Sequence, residues 1–424
     1  MGKIPQPLIG GRPAVTPSSP PASTGSSQLI RQLNAQRVLQ CMWGREPSTA
    51  TELMHATGLT RATILTLCRD LTEQGWLEVS ENSRQAGQYT KGRPALRYAF
   101  REDACRVIGV DAGLHQVTAA VANLRGVEVG RATRPSNPQG SDAPLQPAAE
   151  RRRTILDTID AALAEAGLTH GDVASVVIAV PAPVDAAGHS PKGLNPFWSL
   201  MNPDLISLGS EHGWDCAVDN DANLAALAEL DLQQTTEQDS FAVILSGERL
   251  GAGIVLEGRL LHQRRGGIGE LGMLDLVEGV GSSNGMGWWA RHLAREALRQ
   301  TPEHPGPLGA RPIEEVTSEH VFAAAAQGDP LAEEIMDQLA DRLARICVVL
   351  AGLLDLDRIL VSGAIAPALR GVAARAKQKL AQYLYAPCLE IDASTLGAQA
   401  VRRGAVRLAI DRIKDQALHR SAED

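Results

Sequence analysis

Between Gln28 and Gly75 apolar positions recur at helical spacing in three short blocks, so this stretch predicts three helices. The first, Gln28 to Trp43, has Leu29, Leu33, Leu39 and Met42 as its expected inner side. The second starts at Thr49, which with Glu52 three residues on fits a capping box. Leu53 and Met54 give it an apolar side, and Gly58 stands where a helix stops in the left-handed region. Leu59 is suited to plug the space between helices, and Thr60 caps a third helix reaching about Gln74. Its Ile64, Leu67, Cys68 and Leu71 repeat at three and four and face inward. Two alternating runs, Trp76 to Ser80 and Ala95 to Phe100, then predict strands joined by a polar loop.

From Arg106 the pattern becomes one of strands alternating with helices. Strands are expected over 106–111, 116–123, 173–180 and 217–221, with helices over 154–166 and 222–230. A strand pair over 241–246 and 251–257, a long helix over 331–354 and a buried strand over 358–362 follow. This is an α/β body of two lobes. Ligands in such folds gather at the carboxyl ends of strands, where the glycine and carboxylate motifs fall here.

Composition narrows the class. The chain has 424 residues, 44% of them apolar, enough for two or three domains. No apolar run approaches a membrane span, and the first 27 residues lack a continuous apolar segment. A cytoplasmic protein with a flexible Pro/Ser/Gly-rich tail over 1–27 is therefore expected. Six cysteines at 41, 68, 105, 216, 347 and 388 show no paired spacing, which argues against a disulfide framework or a four-cysteine zinc site.

Helix, glycine turn, second helix and strand pair together read as a winged helix-turn-helix over 28–100. In such units the second helix enters the major groove with its first turns against base edges. Thr60, Arg61, Thr63, Thr66 and Arg69 lie on or near its outer side, and Lys91 and Arg93 in the wing loop are placed for phosphate or the minor groove. A plain helical hairpin with a solvated face is the bland alternative. Charge helps a little. Residues 28–100 hold nine Lys/Arg against six Asp/Glu, whereas 101–424 hold 30 against 43.

The body carries IGVDAG from Ile108, VPAPVD from Val180, VDNDAN from Val218, GAGIVLEG from Gly251, GGIGELG from Gly266 and LVSGAIA from Leu360. In order and spacing these resemble the ROK family (repressors, open reading frames and kinases), in its branch with an N-terminal winged helix. The likeness covers about residues 28–412. It implies an actin-like, hexokinase-like two-lobed fold, with lobes over 101–230 and 231–424 and the C-terminal helix free to return to the first lobe. It also implies a carbohydrate-type ligand. Asn220 and Asp221 match the family's motif for the general base on a sugar hydroxyl, Glu270 matches a sugar-hydroxyl ligand, and Gly188 a point of close backbone approach. Asp221 would also serve as a helix cap, Glu270 as a solvated loop carboxylate, and Gly188 as an ordinary turn residue.

Departures from the family pattern carry as much information. Its D-x-G-G-T phosphate turn reads Asp111-Ala-Gly-Leu-His115 here, so Leu114 obstructs the backbone and the hydroxyl is lost. Its second loop, G-T-G-x-G-A-G, reads Gly247-Glu-Arg-Leu-Gly-Ala-Gly253. Glu248 sets a negative charge against phosphate, and like charges about 4 Å apart repel by roughly 1 to 4 kcal/mol. Arg249 would offset this by binding phosphate or by pairing with Glu248. The family's zinc-ligating histidine is Met273, and Gly281-Ser-Ser-Asn-Gly-Met-Gly287 stands in place of its cysteine loop. That loop is expected to be held by packing, with Trp288 and Trp289 as core anchors. Asp111 matches a magnesium-associated position, and His189 and His262 read as structural or surface residues.

The expectation is a sugar-responsive transcriptional regulator, a repressor without catalytic activity. It would use neither ATP nor zinc and would bind a palindromic double-stranded operator as a homodimer or homotetramer. A sugar or sugar-phosphate at Asn220, Asp221 and Glu270 would change the angle between lobes and so the spacing of paired DNA-binding domains. The alternative is an ATP-dependent sugar kinase with Asp221 as base.

Overall fold

The computed structural model describes residues 24–80, 96–136, 145–193, 195–232, 239–262, 264–383 and 389–419. The chain divides into two compact units, Met1–Phe100 with Ala417–Asp424, and Arg101–Gln416.

In the first unit α1 (Thr24–Met42), α2 (Ala50–Thr57) and α3 (Arg61–Glu73) pack together beside a small antiparallel sheet. The sheet orders β1 (Ser48–Thr49), β3 (Arg97–Phe100) and β2 (Leu77–Ser80). Val38, Leu39, Met42, Leu53, Ile64, Leu67, Cys68 and Leu71 are buried in its core. Leu29 and Leu33 are not: they are 55% and 52% exposed, against the expectation of an inward side. At about 100° per residue, the six positions from Leu33 to Leu39 turn the helix by about 600°, leaving the two residues about 120° apart. Leu29 and Leu33 therefore share a face with each other and not with Leu39 and Met42. Lys91 and Arg93 lie outside the described residues.

The second unit builds the same motif twice. Its first sheet uses β4 (Arg106–Ala112), β5 (Gln116–Ala122), β6 (Glu128–Pro135), β7 (Val173–Val180) and β8 (Asp215–Asn220), in the order β6-β5-β4-β7-β8. Between these strands run α4 (Ala148–Ala166), α5 (Pro196–Met201) and α6 (Leu208–His212), and α7 (Asp221–Leu232) follows β8. The second sheet uses β9 (Phe241–Ser246), β10 (Leu250–Leu256), β11 (Arg259–Leu260), β12 (Arg358–Ser362) and β13 (Glu390–Ala393), in the order β11-β10-β9-β12-β13. With it go α8 (Met286–Gln300), α9 (Ser318–Ala326), α10 (Pro330–Leu354) and α11 (Arg370–Lys379), and α12 (Ala400–His419) follows β13 in the chain. In each sheet three strands meander antiparallel and two more join in parallel through helical crossovers.

The strand sequences explain this layering. β7, VASVVIAV, is buried at seven of eight positions, as a central parallel strand covered on both faces must be. Ile108, Val110, Val117, Ile155, Ile159, Val176 and Ile178 form the first core, and Ile244, Ile254, Ile335, Leu339, Leu343 and Ile359 the second. α12 lies against the first sheet's elements: a Cβ at Gly109 of β4 would meet Val406 N at 2.6 Å, and Arg412 Nε donates to Asp215 Oδ2 of β8 at 2.7 Å. β8 runs directly into α7, so Asn220 and Asp221 sit at a carboxyl strand end.

Candidate functional site

The helix-turn-helix is assembled by local hydrogen bonds. Thr49 N donates to Glu52 Oε2 at 2.6 Å and Glu52 N to Thr49 Oγ1 at 3.2 Å, completing the capping box. Gly58, at φ 71°, ends α2 and donates its N–H to Met54 O at 2.8 Å. Thr60 caps α3, accepting from Thr63 N at 3.4 Å. Ile64, Leu67, Cys68 and Leu71 are all buried, so α3 turns the opposite side outward. Thr60, Arg61, Thr66 and Arg69 are exposed there and Thr63 is half-buried. Arg69 lies 3.5 Å from Asp70 and 3.9 Å from Glu73, while Arg31 of α1 binds Asp70 at 2.5 Å. The carboxylates thus gather in the C-terminal half of α3, and its first turns keep their positive and hydroxyl groups. Leu65, 40% exposed on the same side, is a residue that periodicity alone did not single out.

In the body, Asn220 caps α7. Its Oδ1 accepts from Ala222 N at 2.9 Å and Asn223 N at 3.3 Å, and its Nδ2 donates to Ala182 O at 3.1 Å. Both ends of the amide therefore serve the protein, and Asn220 fixes the start of α7, which carries Asp221. Asp221 Oδ1 accepts from Ala222 N at 2.8 Å. Its carboxyl is pushed up to about 8, first by burial, then by the charges of Asp111 and Glu270. Asp111, at the end of β4, is pushed up to about 6 by burial, opposed by Arg402 and Arg151. Glu270 is also raised by burial, against the pull of Arg249. Asp111 from β4 and Glu270 from the loop after β11 thus both act on Asp221 at the head of α7. A carboxyl titrating near neutrality can accept a proton from a sugar hydroxyl or donate to one.

Glycines let these elements converge. A Cβ at Gly253 of β10 would lie 2.2 Å from Ala222 O, so only glycine admits the head of α7 at that distance. A Cβ at Gly269, at φ 82°, would lie 1.7 Å from Ala252 O, and Glu270 then bridges to Gly251. Gly188 belongs to a turn closed by Asp185 and His189, with φ 85°, Ile206 against it and Asn202 Nδ2 donating to its carbonyl at 3.0 Å. The turn accounts for this glycine without a ligand.

The two turns that depart from the family pattern meet each other. His115 Nε2, from the β4–β5 turn, lies 3.2 Å from Glu248 Oε1, from the β9–β10 turn. Arg249 does not pair with Glu248; its Nη2 donates to Ser283 Oγ at 2.7 Å. Arg151 of α4, 1% exposed, anchors the first turn by donating to Ala112 O, to Gly113 O at 3.1 Å and to Met201 O at 3.0 Å. Burial draws its guanidinium down to about 10. Nothing in the spacing of Arg151 marks this role, because its partners are three backbone carbonyls and the Ser136 hydroxyl at 3.1 Å.

The loop Gly281–Gly287 offers no thiolate or imidazole, Met273 none either, and no cysteine lies between 216 and 347, so the residues do not fit a tetrahedral zinc site. It is pinned instead by Arg342 of α10, which donates to Ser282 O and to Asn284 O at 3.1 Å and lies 4.8 Å over the Trp289 ring. Gly285 N donates to Glu248 O at 2.8 Å, tying this loop to the β9–β10 turn. Trp288 stacks on His292 with ring centres 4.6 Å apart. His262 Nε2 lies 2.8 Å from the buried Asp219, whose hydrogen bond raises the histidine's pKa. His189 lies 3.9 Å from Asp185.

Two sheets of one topology around a carboxylate-lined site, with a helix-turn-helix unit in the same chain, define an actin/hexokinase-like protein with a DNA-binding module. The chain belongs to the ROK family: the ROK family model matches residues 107–412, and the IclR helix-turn-helix domain model matches residues 33–81. The DNA-binding transcriptional dual regulator NagC of Escherichia coli (strain K12) is 23% identical over 354 residues, 82% of this chain and 84% of NagC. A glucokinase of Halalkalibacterium halodurans is 26% identical over 273 residues, 62% of this chain and 81% of that enzyme. Among solved structures, a ROK family transcriptional regulator, a homolog of the E. coli MLC protein, superposes with TM-score 0.69 at 23% identity. It covers 93% of this chain and 99% of its own. A ROK family glucokinase from Streptomyces griseus in complex with glucose and AMPPNP gives TM-score 0.60 at 24% identity, over 72% of this chain and 99% of its own. At these identities the structural likenesses speak for the fold. Among the described residues no helix is long and apolar enough to cross a membrane.

Proposed function

We propose that this chain is a sugar-responsive DNA-binding transcriptional regulator, a repressor of sugar uptake or metabolism genes. The observation that carries this reading is one chain holding both a helix-turn-helix unit with an exposed, capped α3 and a ROK body. Thr60, Arg61, Thr63, Thr66 and Arg69 meet the operator, and Lys91 and Arg93 add backbone contacts. In the body, Asp221 and Glu270 bind hydroxyls of a carbohydrate effector, while Asn220 and Gly188 shape the loops around them. A palindromic operator requires two copies of α3, so the chain acts as a dimer or tetramer. The place of action is the cytoplasm, where such an operator is found.

No ATP-dependent phosphotransfer is proposed. The His115–Glu248 pair occupies the turns that would cradle phosphate, and an acidic side chain there opposes a polyanion. Neither zinc nor nucleotide belongs to this reading. Asp221 favours the second reading, a kinase, because a carboxyl with a pKa near 8 is suited to a general base.

The test has two arms on the full chain. Gel shift and footprinting with DNA upstream of its own and neighbouring genes should show specific, salt-sensitive binding that one sugar relieves. Coupled ADP release over a hexose panel should stay at background. Absence of specific DNA binding would overturn the regulator reading, and turnover abolished by Asp221→Asn would establish the kinase.

A further inference from the structure

We propose that Leu65, with Ala62, reads thymine methyl groups in the major groove, so that this chain selects operators with thymine opposite the middle of α3. The inference deepens the DNA-binding reading above and rests on it.

On α3 the buried positions Ile64, Leu67, Cys68 and Leu71 fix the inward direction. Ala62, Leu65 and Arg69 follow at spacings of three and four on the outward side. Ala62 is exposed and Leu65 is 40% exposed. A lone exposed leucine on a surface helix calls for no explanation. This one differs in position. It lies in the second turn of the helix that a helix-turn-helix unit inserts into the major groove. It is flanked by the cations Arg61 and Arg69, and the acidic Asp70 and Glu73 come only after it. A leucine there can donate no hydrogen bond and accept none. Adenine, guanine and cytosine edges would have polar groups stripped of water against it, whereas thymine alone offers a methyl group. The Leu65 side chain and the Ala62 methyl therefore match the 5-methyl of thymine, and Arg61 and Arg69 are left to phosphate or guanine.

The experiment begins by enriching double-stranded DNA from a random-sequence library with the full chain. Anisotropy titrations then compare the enriched duplex with copies in which single thymines are replaced by uracil, which removes only the methyl. At the thymine facing Leu65, the wild-type chain should lose affinity about fourfold, the effect of one buried methyl group. Leu65→Ala should bind the thymine duplex more weakly, with an unchanged melting temperature, and should bind thymine and uracil duplexes alike. Leu65→Met, still apolar, should keep the preference for thymine. Uracil duplexes bound as tightly as thymine ones throughout, with binding specific in salt titrations, would overturn this proposal and leave the DNA-binding reading standing. Enrichment of no sequence would overturn both.

Discussion

His115 and Glu248 replace a hydroxyl and a second small polar residue of the family's phosphate turns, and they meet each other 133 positions apart in sequence. The contact joins the β4–β5 turn of the first sheet to the β9–β10 turn of the second. Both side chains are about a third or more exposed, at 42% and 34%, so the pair is a modest one. A double-mutant cycle on His115→Ala and Glu248→Ala should give a coupling of about 0.2–1 kcal/mol that shrinks with added salt. A larger, salt-independent coupling would mean the pair is buried in solution. Asp221 gives a sharper test. Its folded pKa is raised to about 8, so between the ordinary carboxylate range and that value the folded protein holds a proton that the unfolded chain has released. Its contribution to stability therefore falls as pH rises through this window and is flat above it. Asp221→Asn removes the charge and keeps the shape. The variant should be more stable than wild type at pH 8, with a margin that narrows toward pH 5, in thermal melts of the full chain. A margin independent of pH would show that Asp221 is ionised throughout.

At the scale of elements, local rules were legible where they act over a few residues. The Thr49–Glu52 capping box, the Gly58 stop and the Thr60 cap are chemistry within four positions, and each is formed. Strands such as 173–180 and 358–362 announced themselves because parallel strands are covered on both faces. Leu29 and Leu33 of α1 stay exposed because Leu33 and Leu39 stand six positions apart, which is not a helical repeat. Arg151 and Arg342 carry no sequence signal because each holds mainly backbone carbonyls, and a carbonyl has no signature in sequence. β1 escaped because two residues carry no period, and it exists only through pairing with β3 across about fifty positions. Two substitutions probe these elements. Thr60→Ala removes the cap of α3 and should destabilise it by about 1 kcal/mol, seen as faster amide exchange over 61–65. Arg342→Met removes the Nη2 group that donates to both Ser282 O and Asn284 O. It should loosen 281–287 with a loss of about 1–3 kcal/mol, since those carbonyls are left unsatisfied. Unchanged exchange across that loop would show that Trp288 and Trp289 suffice to hold it.

The ROK body repeats one sheet topology twice and brings Glu270 of the second half to act on Asp221, where a strand of the first sheet ends. Such a body needs a ligand only if ligand binding is felt elsewhere, and thermodynamics makes that demand reciprocal. If a sugar at Asp221 and Glu270 weakens operator binding by some factor, operator must weaken sugar binding by the same factor. Couplings of this kind are typically about 5- to 150-fold. The expected outcome is a sugar affinity, measured by calorimetry, that drops by that factor when the full chain is first saturated with operator. Glu270→Ala should abolish the sugar signal while leaving operator affinity of the sugar-free protein unchanged, because Glu270 belongs to the ROK body and α3 to the helix-turn-helix unit. Equal sugar affinity with and without operator would separate binding from regulation and reduce the ROK body to a scaffold. Loss of operator affinity in the sugar-free Glu270→Ala protein would instead show that the carboxyl group supports the DNA-binding state itself.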